Sequence, residues 1–171
     1  MRFTEPVFRA HNPEWAWSPT SGEGARRFGG RFNRQGRAAL YTALSPLTAL
    51  REASPIGRPM EPLTLCQYQV DCAPILDTRD PAACKAQGVA WDDLACPEWE
   101  MQMLRGALPR SQALAERLID SGFAGMVAPS FARGASGEFN LVLWTWGDSL
   151  PTLIRVIDST QRLPGNRASW S

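Results

Sequence analysis

Residues 21–52 read SGEGARRFGGRFNRQGRAALYTALSPLTALRE, and the succession of elements inside them sets the architecture. A glycine- and arginine-rich loop spans 25–37, and a short apolar run, AALYTAL, occupies 38–44. That run has the length of a strand and is too short for a buried helix, so it reads as a buried strand. Ser45-Pro46 then fits a helix start: the serine hydroxyl can accept a first-turn N–H, and proline suits the first helical position. Leu47, Leu50 and Ser54 fall on one face at i, i+3, i+7, and are expected to face the core. Glu52 lies nearly opposite. It reads either as a solvated glutamate or as one facing a cleft, and periodicity alone leaves both open. Pro55, Gly57 and Pro59 are expected to end the helix.

The loop carries Arg26, Arg27, Arg31, Arg34 and Arg37 among Gly29, Gly30 and Gly36. Glycine permits close backbone approach, and arginine offers a planar fork for phosphate oxygens. The segment fits a solvated basic loop or an anion site. It is neither a P-loop nor a dinucleotide fingerprint: G-K-[ST] is missing, and no apolar strand leads into the G-x-G at Gly22–Gly24.

The 171 residues fit a single domain over 1–171, with a core at about 5–157 and a C-terminal tail at 158–171. With 44% hydrophobic and 20% charged residues, the chain has a globular composition. A formal net charge of +1 supplies no global polycation for nucleic acid or membrane. Residues 1–20 hold no basic-then-apolar signal pattern, and no apolar stretch approaches the ~20 residues of a membrane span. The expected location is the cytoplasm. The cysteines, at 66, 72, 84 and 96, form no C-x-x-C pair, and His11 is the one histidine. Zinc-ligand spacing is absent, so no metal is expected, and a Ser-His-Asp hydrolase would have to use His11 as its base.

Residues 5–10 read as a short strand that could aim Arg9 at a site, and 11–24 as a loop with Trp15 and Trp17 as anchors. Residues 63–70 alternate with period two: Thr64, Cys66, Tyr68 and Val70 share one face. Residues 74–77 are extended, and 78–97 form a connector with one or two short helices. Residues 98–121 are helical, broken at Gly106 and Pro109. Residues 124–128 form a strand ending at Pro129-Ser130. Residues 138–146 form a strand apolar on both faces and therefore central, with Asn140 beside Val142 on one of them. Residues 153–157 form the last strand, and the tail has no period.

GEGARRFGGRFN, ALYTALSPLTALREA and VAPSFARGASGEFNLVLW, in this order, resemble the three conserved blocks of RES-domain proteins. The arginine, glutamate and serine of that name correspond to Arg31, Glu52 and Ser130. The resemblance covers the chain from Val7 to about Ile157. It implies an α/β (α+β) domain of the ADP-ribosyltransferase-like kind, with a split, mostly antiparallel sheet flanked by helices. It also implies a toxin of a bacterial type II toxin–antitoxin pair that uses NAD+ as substrate. Its partner would be an Xre-type helix-turn-helix antitoxin, with DNA met only through that antitoxin.

On that reading Glu52 stabilises charge developing on the ribose as nicotinamide leaves. Arg31 binds the diphosphate. Tyr41 stacks on the nicotinamide or ribose face. Ser130 orients Glu52 or contacts the substrate, and Arg9 and Asn140 contact phosphate or ribose. Between Ala49 and Ser54 the only carboxylate is Glu52. The two-glutamate arrangement of many protein-modifying ADP-ribosyltransferases is thus missing, and the acceptor stays open among water, phosphate and a protein. The alternative is a non-enzymatic nucleic-acid-binding or interaction domain built on the arginine loop.

Overall fold

The period-two stretch at 63–70 becomes the longest strand, running on to Cys72, and it buries Cys66, Tyr68, Val70 and Cys72 while Leu65 and Gln67 face outward. The computed structural model describes residues 1–54 and 59–170. In chain order the elements are β1 (Val7–His11), α1 (Glu23–Phe28), β2 (Leu40–Ala43), α2 (Pro46–Ala53), β3 (Thr64–Cys72), β4 (Ile75–Asp77), α3 (Pro81–Ala86), α4 (Trp91–Ala95), α5 (Trp99–Leu104), α6 (Arg110–Asp120), β5 (Gly125–Pro129), β6 (Phe139–Leu143) and β7 (Thr152–Val156). Short 3-10 turns lie at Pro13–Trp15 and Arg167–Trp170. No helix among the described residues is long and apolar enough to cross a membrane.

The strands form one sheet in the order β4-β5-β6-β2-β1-β3-β7, and only β4 and β5 run parallel. This is the expected mixed α/β fold, with a mostly antiparallel sheet flanked by helices. The split falls between β1 and β2. They share a single register pair, Phe8↔Ala43, whereas β1 and β3 share five, from Val7↔Tyr68 to His11↔Thr64. A junction held by so few rungs lets the two halves of the sheet diverge. One core packs Phe3, Tyr68, Leu143 and Ile154. The other packs Leu114 and Leu118 of α6 against Met126, Val142 and Trp144. Each fully buried leucine there contributes about 1.5–3 kcal/mol.

Three sequence expectations need correction. The basic stretch 25–37 is not all loop. Glu23 pairs with Arg26 at 2.7 Å and Arg27 at 2.8 Å, one turn apart, and this supports α1 until Gly29, at φ 72°, stops it. Helix α2 starts as expected, with the Ser45 hydroxyl accepting Thr48 N–H at 3.1 Å. However, it buries Thr48 and Ala49, and Leu47 is 55% exposed. Small side chains let the helix lie close on β1, which a leucine would hold off. β6 covers 139–143 rather than 138–146, because Trp144 and Thr145 both donate their N–H to the Ala124 carbonyl and the chain bends there. The aperiodic tail wraps the surface: Leu163 packs on the core, and Arg167 pairs with Glu14 and lies over the Trp15 ring. Pro55 and Gly57, expected to end α2, lie outside the described residues, and the C-cap is Ser54.

Candidate active site

The diverging strands β1 and β2 open a cavity of about 560 Å³. Arg9 from β1, Arg31 from the loop after α1, Tyr41 from β2, Glu52 from α2 and Asn140 from β6 all line it. Such a volume lies in the range of small-molecule and cofactor sites.

Glu52 sits one turn beyond the buried Thr48 and Ala49, at the end of the sheet-facing side of α2. It is exposed, but to the cavity. Its Oε1 accepts two hydrogen bonds, from Ser130 Oγ at 2.6 Å and from Asn140 Nδ2 at 2.6 Å. Ser130 follows the last residue of β5, and Asn140 lies on the neighbouring strand β6, so two adjacent strands grip one carboxylate oxygen. Both bonds are charge-assisted and hold the side chain in one rotamer. Among the described residues no hydrogen bond reaches Oε2. Asn140 Oδ1 is also buried without a partner there.

Arg31 comes to the same cavity by a different route. Its Nη1 donates to the carbonyls of Ala95 and of Cys96, the latter at 3.1 Å. Its guanidinium lies 4.3 Å from the Phe131 ring centroid and 5.8 Å from that of Trp99. Burial pushes its pKa down, and the facing Cys96, Glu52 and Tyr41 counter part of that shift. A guanidinium keeps its charge at neutral pH even where burial lowers its pKa in this way.

The loop carrying Arg31 is pinned from beneath. The Tyr41 hydroxyl accepts Phe32 N–H at 3.0 Å and donates to Asn33 Oδ1 at 2.8 Å. Burial raises the Tyr41 pKa, keeping it a neutral donor. Asn33 Nδ2 donates to the carbonyls of Ala25 at 2.8 Å and Arg37 at 2.9 Å. Gln112 of α6 donates to the carbonyls of Gly30 at 2.9 Å and Asn33 at 3.1 Å, and Trp144 Nε1 to that of Phe32 at 2.8 Å. The expected Tyr41 position therefore has its ring on the cavity and its hydroxyl committed to the loop. Arg9 is likewise committed in part: Nη1 donates to the carbonyls of Pro19 at 2.9 Å and Ser21 at 3.0 Å, and burial lowers its pKa.

Sequence reading named Arg9, Arg31, Tyr41, Glu52, Ser130 and Asn140, and all six come to this one place. It missed Asn33, Gln112, Phe131 and Trp99. Asn33 sits beside Arg31 in G-R-F-N and could have been suspected as a turn residue. Nothing marks Gln112, a polar residue in an amphipathic helix that comes to the loop only in three dimensions. The other loop arginines are occupied. Arg26 and Arg27 pair with Glu23, and Arg37 holds Glu116 through two bonds at 2.9 and 3.1 Å with Arg34 3.7 Å from it. No group of three or more His, Cys, Asp or Glu able to hold a metal occurs among the described residues.

The RES domain family model matches residues 6–165. Among solved structures, a chain of the M. tuberculosis MbcT–MbcA toxin–antitoxin complex has a similar fold. The TM-score is 0.57 at 22% identity, and the match covers 92% of this chain and 84% of that one. No curated protein matches the chain in sequence.

Proposed function

Because the chain belongs to the RES domain family, we propose that it is the toxin of a toxin–antitoxin pair, and that it cleaves NAD+ between nicotinamide and ribose. The observation that carries this reading is Glu52: a carboxylate fixed through Oε1 by Ser130 and Asn140, with Oε2 unengaged, on the wall of a cavity it shares with Arg31.

The chemistry suits these groups. The bond between the ribose C1′ and the pyridinium nitrogen breaks with its electron pair going to nitrogen, so nicotinamide leaves neutral and needs no general acid. Positive charge develops on the ribose ring, as in glycoside hydrolysis. Glu52 Oε2 stabilises that charge or holds a ribose hydroxyl, and it is already oriented before substrate arrives. Arg31, stacked on Phe131, binds the diphosphate with the donors that Ala95 and Cys96 do not use. Tyr41 presents its ring, and Asn140, also on the cavity wall, contacts the ribose. An acceptor then adds at C1′; water gives hydrolysis, phosphate gives phosphorolysis, and a protein side chain gives mono-ADP-ribosylation. The protein acts in the cytoplasm and is neutralised by an Xre-type helix-turn-helix antitoxin.

The test is chromatographic. Purified protein incubated with NAD+ is expected to release nicotinamide, and Glu52→Gln to slow release by on the order of 10²–10³. Mass spectrometry of products with and without phosphate and cell lysate identifies the acceptor. A wild-type protein that leaves NAD+ intact under all these conditions overturns the reading.

A further inference from the structure

Glu52 is carried by α2, and the first turn of that helix is held by a second glutamate. Glu138 lies just before β6. Its Oε2 accepts from Thr48 Oγ1 at 2.8 Å and Ser45 Oγ at 3.3 Å, the first turn of α2. Thr48 is fully buried and Glu138 half-buried, so this bond is partly removed from water. Two residues further along β6, Asn140 donates to Glu52, four residues further along α2. Four helical residues rise about 6 Å and two strand residues about 6.7 Å. The matched rises make a two-rung ladder between helix and strand, with Glu138–Thr48 as one rung and Asn140–Glu52 as the other.

The third contact to Glu52 leads back to the same residue. Ser130, whose Oγ holds Glu52, has its own N–H on the Glu138 carbonyl at 2.8 Å. Glu138 thus anchors the helix through its side chain and Ser130 through its backbone. A carboxylate at a helix N-terminus is also favoured by the helix dipole. Ser45 is set against Glu138 by the pairing of the strands, since Leu44 N–H donates to the Phe139 carbonyl at 3.0 Å.

We propose that Glu138 is a positioning residue for Glu52, locking the register of α2 on β6 so that the Glu52 carboxylate meets Ser130 and Asn140 and presents its other oxygen to the cavity. Its consequence for rate rests on the NAD+-cleaving reading above; its consequence for geometry does not. A displacement of about 1 Å at a reacting group can cost about 10²-fold in rate.

The test uses Glu138→Ala and Thr48→Val, which cut the same rung from opposite sides, with Glu138→Gln as the conservative variant that keeps an acceptor. Nicotinamide release is expected to lose about 10–100-fold in kcat in Glu138→Ala and Thr48→Val, with KM for NAD+ within about twofold. Glu138→Gln should recover most of the loss. In a Glu52→Gln background, Glu138→Ala should lower the rate no further, because its effect passes through Glu52. A crystal structure of Thr48→Val or Glu138→Ala is expected to show Glu52 Oε1 released from Asn140, and this readout stands whether or not the protein cleaves NAD+. Glu52 unmoved in both variants, or an equal further loss in the Glu52→Gln background, overturns the proposal.

Discussion

At the scale of single residues, the hydroxyl of Tyr41 and the guanidinium of Arg9 are the sharpest cases of a side chain whose chemistry is spent on the backbone beside it. Tyr41→Phe keeps the ring on the cavity wall but strands Phe32 N–H and Asn33 Oδ1. Unsatisfied buried groups of this kind cost about 1–3 kcal/mol each. The variant is expected to melt several degrees lower and to bind NAD+ more weakly, because Arg31 precedes Phe32. A thermal melt and an NAD+ titration check this, and normal values in both would show that the hydroxyl does not hold the loop. Arg9→Lys loses a donor geometry that reaches the carbonyls of Pro19 and Ser21 together. It should lower the melting temperature with little change in KM; a large KM increase without loss of stability would make Arg9 a diphosphate ligand instead.

At the scale of elements, one hydrogen-bond network ties the loop from Gly29 to Arg37 to β2 and α6. A Cβ on Gly30 would lie 2.6 Å from Tyr41 Oη and 2.7 Å from Asn33 Oδ1. Those two atoms are bonded to each other and cannot both retreat. Gly30→Ala is therefore expected to break the Tyr41–Asn33 bond and move Arg31. Its signature is a raised KM for NAD+ with far-ultraviolet circular dichroism unchanged; unaltered KM would show that the loop yields without moving Arg31. Element boundaries were read well where local chemistry decides them. Ser45-Pro46 starts α2 by its own capping, and the strands at 63–70 and 124–128 follow their pattern. They were read poorly where a partner decides: α1 is supported by ion pairs within a basic stretch, and the buried stripe of α2 is chosen by the surface of β1.

At the scale of the whole molecule, pH acts through groups the fold has taken from water. Burial lowers the pKa of His11; its hydrogen bond to the Asn12 carbonyl opposes this, and nearby Arg9 adds to it. The unfolded chain then binds the proton more readily, so stability falls as pH drops through the ordinary histidine value near 6.5 and levels off below the folded value. Urea midpoints at pH 8 and pH 5.5 should differ in wild type and nearly coincide in His11→Gln; an equal fall in both would exclude His11 as the source. Carboxylates act at lower pH. Arg26 and Arg27 hold Glu23 down to about 2, and Asp71 is lowered by Arg2. The stability these pairs add is present above about pH 4 and is lost as pH falls through their folded values. Exposed as they are, they are minor contributors.

The amino-acid order by itself determined most of the strands, the start of α2, the mixed α/β class, and six residues that meet at one site, because capping, period and block order are written locally. It did not determine how those residues are used. That Glu52 is held at one oxygen, that Tyr41 supports a loop, and that Gln112 and Glu138 matter at all depend on contacts between segments far apart in the chain. Only when β6 lies beside β2 and α2 lies across them do Glu138 and Asn140 meet Thr48 and Glu52. The helical period placed Glu52 opposite Leu47 correctly but assigned the core to the wrong side. A wheel records angles within one helix, and which of its sides is buried is decided by the sheet it packs on.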